Sequence, residues 1–251
     1  MSTLKRIVFF AVLLGVWQLL ALRGIWDSTL FPSPVEVAKS LWGTILDGTL
    51  ITATAVSLKR VLLGYTLSLG IGVPLGIFLA RNQTAEDTVG SLVTGLQALP
   101  SICWLPLALL WFGLNDSAIL FVVVMGSLVS ITIAVADGVK NLPPTYIRAA
   151  QTMGTSPFHI MTDVLLPASL PTILVGAKLG WSYAWRALMA GELLFVSLGL
   201  GHMLMMGREL ADMSQVLAVM IVIICLGLLT DIVIFGTLER RVRSRFGLGV
   251  A

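Results

Sequence analysis

Charge is scarce in this chain. Only 12% of its 251 residues are Asp, Glu, Lys or Arg, against about 25% in a soluble domain. With 57% hydrophobic residues and a mean hydropathy of +0.96, that deficit excludes a water-soluble globule of this length. The net charge is +3 and the basic residues are spread along the chain, so no concentrated basic face exists for nucleic acid. Cysteine is limited to Cys103 and Cys225, each inside an apolar stretch, and histidine to His159 and His202. Thiols in apolar surroundings behave as small hydrophobes, and no Cys/His spacing sets up a disulfide framework or a metal site. A Gly-x4-Gly-Lys-Ser/Thr phosphate loop is absent. So are His-x-x-x-His, Gly-x-Ser-x-Gly and paired carboxylates in the apolar runs, which argues against an intramembrane enzyme. No linker, low-complexity tract or internal repeat divides the chain, so residues 1–251 read as one domain.

What is present is a series of long apolar runs. A membrane-crossing helix needs about 20 mostly apolar residues. The runs predict six: about 7–23, 56–80, 91–112, 117–138, 170–194 and 215–238. The expected class is therefore an all-α polytopic membrane protein with six transmembrane helices. Lys5-Arg6 precedes the first run as in a signal peptide, but the run ends Ala21-Leu22-Arg23 without a small-x-small site. An uncleaved helix is expected. Six crossings put both termini on one side. With the N-terminus inside, inner segments hold nine Lys or Arg and outer segments five, which favours cytoplasmic termini.

The outer segment 24–50 contains Phe31-Pro32-Ser33-Pro34, then Val35, Ala38, Leu41, Trp42 and Ile45 three or four apart. This predicts a short amphipathic helix capped by Ser33 with Pro34 at its first position and Trp42 at the headgroup level. Residues 139–168 are the one long piece that must work in water, and they face the cytoplasm. Pro143-Pro144 stops what precedes. Tyr146 to Met153 forms about two helical turns. Ala150 and Gly154 share a small-residue face that admits a partner. Gly154 supplies a left-handed stop. Ser156-Pro157 opens a second short helix, which carries Phe158 as an apolar knob and ends at Pro167.

The spacing of that segment is Ala149-Ala150, three residues, Gly154, nine residues, Val164, one residue and Leu166-Pro167. It resembles the EAA loop of ABC-importer permeases, with Val164 in place of Ile and Arg148 in place of the first Glu. Further pieces resemble the nitrate, sulfonate and taurine branch of these permeases. They are Leu30-Phe31-Pro32-Ser33-Pro34, Gly72-Val73-Pro74-Leu75-Gly76, Leu99-Pro100-Ser101, Trp104-Leu105-Pro106-Leu107, Leu110-Trp111-Phe112-Gly113-Leu114, Gly176-Ala177-Lys178-Leu179-Gly180, Ala190-Gly191-Glu192 and Gly199-Leu200-Gly201. The branch often shows Pro-Pro at Pro100-Ser101 and Arg at Lys178.

The resemblance implies a type I importer transmembrane domain, a five-helix core plus one N-terminal helix, in a bacterial inner membrane. It implies a second copy of the permease, as a homodimer, and a substrate-binding protein outside. It also implies two cytoplasmic ATP-binding subunits docked on residues 145–167, with ATP and Mg held there and no cofactor on this chain. Coupling would then rest on Tyr146, Arg148, Ala149, Ala150, Gly154, Phe158, Val164, Leu166 and Pro167. Arg148 would face an acidic residue on the ATP-binding subunit where the family's Glu faces a basic one.

Ionisable residues inside spans are costly and face a bundle interior or an aqueous cavity. Arg186 and Glu192 lead here, six apart on the fifth span and so on different faces. For an anionic cargo Arg186 is the natural attractive group, with Trp104, Trp181, Trp185 and Glu192 along the path. The alternative has Arg186 and Glu192 paired with neighbouring helices, or near an interfacial tryptophan belt. The leading function is import of a small anion such as nitrate, a sulfonate or taurine. The same architecture also serves a neutral or heteroaromatic nutrient, and an autonomous channel or secondary transporter is the reading from another class.

Overall fold

Run length translates into helix. The computed structural model describes residues 2–245 except 26, 28, 195 and 196; the side chains of Arg243 and Arg245, two of the basic groups expected on the inner flank, lie outside the described residues. Every described regular element is helical. Five helices are long and apolar enough to cross a membrane, or six if one bent pair counts as a span. The chain folds as two compact units, Met1–Leu58 with Glu192–Leu226, and Lys59–Gly191 with Gly227–Ala251.

The first unit opens with α1 (Ser2–Leu22), most of whose apolar side chains are exposed, with Trp17 and Ala21 half-buried. The Trp17 Nε1–H donates to the Pro32 carbonyl at 3.0 Å. Next comes α2 (Pro34–Leu46). Ser33 caps it and Pro34 occupies its first turn, as expected. The Ser33 N–H donates to the Glu36 carboxylate at 2.7 Å and the Glu36 N–H returns to Ser33 Oγ at 3.3 Å, a capping box. Val37 is buried and Trp42 exposed, so α2 is amphipathic. Glu36 keeps its pKa below the ordinary carboxylate value, because the Ser33 backbone and then its hydroxyl donate to the charged form. α3 (Thr49–Arg81) begins in this unit.

In the second unit α3 continues past Pro74 to Arg81. Then come α4 (Gln83–Gln97), α5 (Ser101–Phe112), α6 (Asp116–Lys140), α7 (Pro144–Thr152) and α8 (Pro157–Leu194, which ends in the first unit). α3 and α6 approach closely at glycine. A Cβ on Gly72 would lie 3.0 Å from Ile131, and one on Gly76 only 2.6 Å from the Thr132 carbonyl oxygen. The same contact carries the Ser127 hydroxyl, which donates to Ser68 Oγ at 2.7 Å. The Tyr65 hydroxyl donates to the Ala177 carbonyl at 2.7 Å, joining α3 to α8.

The third crossing differs from expectation. Instead of one helix over 91–112, α4 and α5 are bent by 105°. Pro100 has no N–H to continue the ladder, and its ring disfavours helix at Leu99. The second difference lies at Pro167. It does not end a short helix; α8 runs through both Pro167 and Pro171. A π turn at Ile160–Leu165 precedes Pro167. The wide turn makes room for the ring, so the helix bends instead of stopping.

After α8 the first unit resumes with α9 (Leu200–Glu209) and most of α10 (Met213–Thr230). A π turn at Asp231–Phe235 then leads into α11 (Gly236–Arg245) in the second unit. Lys178 pairs with Asp231 at 2.6 Å and reaches Glu239 at 4.0 Å.

Candidate functional site

Two constellations stand out in the second unit, and a third in the first. One is the polar hairpin formed by α7 and the start of α8. Pro144 occupies the first turn of α7, where a missing N–H costs nothing. The stop is a Schellman motif: the Gly154 N–H donates to the Gln151 carbonyl at 2.9 Å and the Thr155 N–H to that of Ala150 at 3.1 Å. Gly154 has φ +77°, the left-handed conformation the sequence predicted. Ser156 caps α8, accepting from the His159 N–H at 3.4 Å, with His159 Nδ1 2.7 Å from its hydroxyl.

The hairpin has a small core of its own. Ala150, Ile160 and Leu165 are buried against Leu142, Ile147, Met161 and Val164. This corrects the expected small-residue face: Ala150 points into that core and offers nothing to a partner. Gly154 does stay open, with no atom within 4 Å of a would-be Cβ. Arg148 and Ala149 are exposed, while Val164, Leu166 and Pro167 are half-buried. Tyr146 is exposed too. Met153 is 84% exposed and Phe158 72%, two large apolar side chains at the tip of a polar element. Sequence reasoning named Phe158 and passed over Met153, which sits beside the Gly154 stop.

The second constellation surrounds the bend between α4 and α5. A cavity of about 340 Å³ is lined by Leu96 to Ser101, by Met125, Gly126, Val129 and Ser130 of α6, and by Tyr183 and Arg186 of α8. The Arg186 guanidinium lies 4.4 Å from the Tyr183 ring centroid. The tryptophans expected along a path do not join it. Trp181 and Trp185 are 6% and 8% exposed. Trp181 packs edge-on against Tyr65 at 5.1 Å, and its Nε1–H donates to Thr230 Oγ1 at 3.2 Å. Trp185 packs against Trp181 at 6.2 Å. They are interior packing, because they lie on the face of α8 turned toward the helices of this unit. Trp104 is half-buried against Phe121 at 6.2 Å.

The third constellation, in the first unit, belongs to Glu192, fully buried. Its carboxylate accepts the Ser57 hydroxyl at 2.7 Å and the Gly201 N–H at 2.9 Å, and Ser57 Oγ accepts the Leu200 N–H at 2.9 Å. Gly199 and Gly201 are glycines because a Cβ on either would meet Glu192 at 2.5 Å. Glu192 therefore holds the entry to α9, the paired role that sequence left open. Its partner Ser57 lies 135 residues away and carried no signal. Arg60 was also missed: it is 5% exposed and pairs with Asp116 at 2.6 Å. Among the described residues no group of three His, Cys, Asp or Glu is placed to hold a metal ion.

Residues 72–244 match the family described as binding-protein-dependent transport system inner membrane component. A putative ABC transporter permease of Methanocaldococcus jannaschii is 35% identical over 226 residues, covering 88% of this chain and 84% of that protein. The taurine transport system permease of Escherichia coli is 29% identical over 227 residues, covering 88% and 82%. Among solved structures, the inward-facing MetNI methionine ABC transporter superposes with a TM-score of 0.68 at 20% identity, covering 78% of this chain and 95% of the matched one.

Proposed function

This chain belongs to the binding-protein-dependent transport system inner membrane components, and from that membership we propose that it is the membrane-spanning subunit of an ATP-driven importer for a small anion such as nitrate, a sulfonate or taurine. All of residues 1–251 serve as its transmembrane domain, two copies form the path, and both termini lie in the cytoplasm. ATP and Mg are bound and hydrolysed in two separate cytoplasmic subunits, and a binding protein outside delivers cargo.

The observation that carries the coupling part is the α7–α8 hairpin. It is locally rigid, with a Schellman stop and its own core. It nevertheless presents Tyr146, Met153 and Phe158 to the outside beside Arg148. Exposed aromatic anchors on a rigid frame suit insertion into a partner's cleft. Ala149, Gly154, Val164, Leu166 and Pro167 shape that frame, and Ala150 fills it. A cargo bearing a sulfonate group is supported by the taurine permease among the relatives and by Arg186 at the cavity.

The test is a pull-down from mildly solubilised native membranes, comparing the native chain with Gly154→Asp. A side chain at φ +77° is strained and would stand in the open space at the stop. An ATP-binding subunit should accompany the native chain and not the variant. Failure to recover one with the native chain under several mild detergents would overturn the importer reading.

A further inference from the structure

Arg186 lacks the carboxylate partner that other cations on the long helices have. Arg60 pairs with Asp116 and Lys178 with Asp231, each at 2.6 Å. Among the described residues no carboxylate pairs with Arg186. Its Nε–H donates to the Ser182 carbonyl of its own helix at 3.2 Å, and its plane rests near the Tyr183 ring. Those two contacts orient the fork. Its terminal N–H groups have no partner among the described residues, and they border the cavity of about 340 Å³. The hydroxyls of Ser101 and Ser130, on the same cavity, also have none.

A second observation converges on the same place. The bend between α4 and α5 leaves non-helical backbone around Leu99 and Pro100, inside an otherwise apolar crossing. Such backbone is tolerated at membrane depth only where it is buried in protein or lines a water-filled cavity. This bend forms one wall of the cavity that the exposed Arg186 borders from α8. A cation on a crossing helix marks a substrate or ion path by the same energetic argument.

We infer that this cavity is the point in the cargo path that recognises a small monovalent oxyanion, a sulfonate or nitrate, and that Arg186 is its specificity-determining residue. The two terminal N–H groups take two oxygens of the anion side by side, a geometry that Lys cannot reproduce. The Ser101 and Ser130 hydroxyls donate to the remaining oxygen. The volume falls at the small end of ligand cavities and leaves room for such an anion together with water. The inference rests on the importer reading and adds to it the atom that selects the cargo.

The test uses charged thiol reagents on the full chain in phosphatidylcholine nanodiscs, which hold no anionic lipid. Cys103 and Cys225 are replaced by Ser, and Ser130→Cys serves as the reporter. With each rate expressed relative to that of a free thiol in solution, sulfonatoethyl methanethiosulfonate, itself a sulfonate, should react about tenfold faster than its trimethylammonium counterpart, because one fixed positive charge faces the thiol. Taurine or nitrate should slow the anionic reagent. Arg186→Gln should abolish the preference. Arg186→Lys should keep it while losing most of the protection by nitrate and taurine. Equal rates for the two reagents with Arg186 in place would overturn the inference, as would a preference that survives Arg186→Gln. Repeating the pull-down with Arg186→Gln keeps the two readings apart. Co-purification of the ATP-binding subunit alongside an unchanged reagent preference sinks only this inference.

Discussion

Phe158 and Glu192 mark opposite ends of what a single side chain does here. Phe158 is 72% exposed, so its removal leaves no cavity. Phe158→Ala should change thermal stability by less than about 0.5 kcal/mol, as expected for an exposed position. Loss of an aromatic anchor should cost about tenfold or more in affinity for the ATP-binding subunit. Thermal denaturation and titration of that subunit, run on one preparation, check both halves. Glu192 is buried with the Ser57 hydroxyl and the Gly201 N–H donating to it. Glu192→Ala strands those donors at about 1–3 kcal/mol for each one left unsatisfied. The melting temperature in detergent should fall clearly, and Glu192→Gln, which keeps an acceptor oxygen, should lose less. A melting temperature untouched by Glu192→Ala would remove the clamp from the account of α9.

At the scale of elements, contact geometry decides which glycines matter. Gly76 faces the Thr132 carbonyl, while Gly70 on the same helix has nothing within 4 Å. Gly76→Val should cost about 1–3 kcal/mol through overpacking against backbone that cannot yield, and Gly70→Val should be nearly neutral; paired unfolding curves decide. The α2 capping box carries the pH dependence. Glu36 has a lowered pKa in the folded chain, so its contribution is present above the ordinary Glu value of about 4.3 and is lost as pH falls through the lower folded value. The Ser33 amide resonance, held by that carboxylate, should therefore move with a midpoint below 4.3; a midpoint above it would dissolve the box. These elements were unequally legible in sequence. Ser33-Pro34 and Gly154 announce caps and stops because their chemistry is local. The break at Pro100 was written in the residue, but an uninterrupted apolar run concealed it. Trp181 and Trp185 misled because α8 is apolar almost all round, so sequence gives no rotational phase for it.

At the scale of the whole molecule, the hairpin proposed to dock exposes Asp163 on α8 and, on α7, Arg148. If its counterpart on the ATP-binding subunit is acidic, Arg148→Glu with the native subunit should lower cargo-coupled hydrolysis several-fold, an outcome weaker in high salt as exposed pairs are screened. Unchanged coupled hydrolysis would show the arginine to be only solvated. At this scale the class was readable from composition alone, since too few charges and long apolar runs leave a membrane as the only solvent. What composition could not convey is pairing across distance, as in Ser57 with Glu192 or Arg60 with Asp116, because such contacts exist only once the helices have met.

The π turn at Ile160–Leu165 separates Phe158 from the stretch of α8 that carries Arg186. A turn of that kind holds one residue more than an α-turn needs. Deleting a single residue there would restore the regular pitch and leave the flanking stretches of α8 in nearly the same rotational phase, because the wide turn takes up the extra residue instead of passing it on as the step of about 100° that one residue makes in an α-helix. Phe158 therefore keeps its orientation about the axis of this helix despite a one-residue insertion, a difference of three nucleotides in the gene.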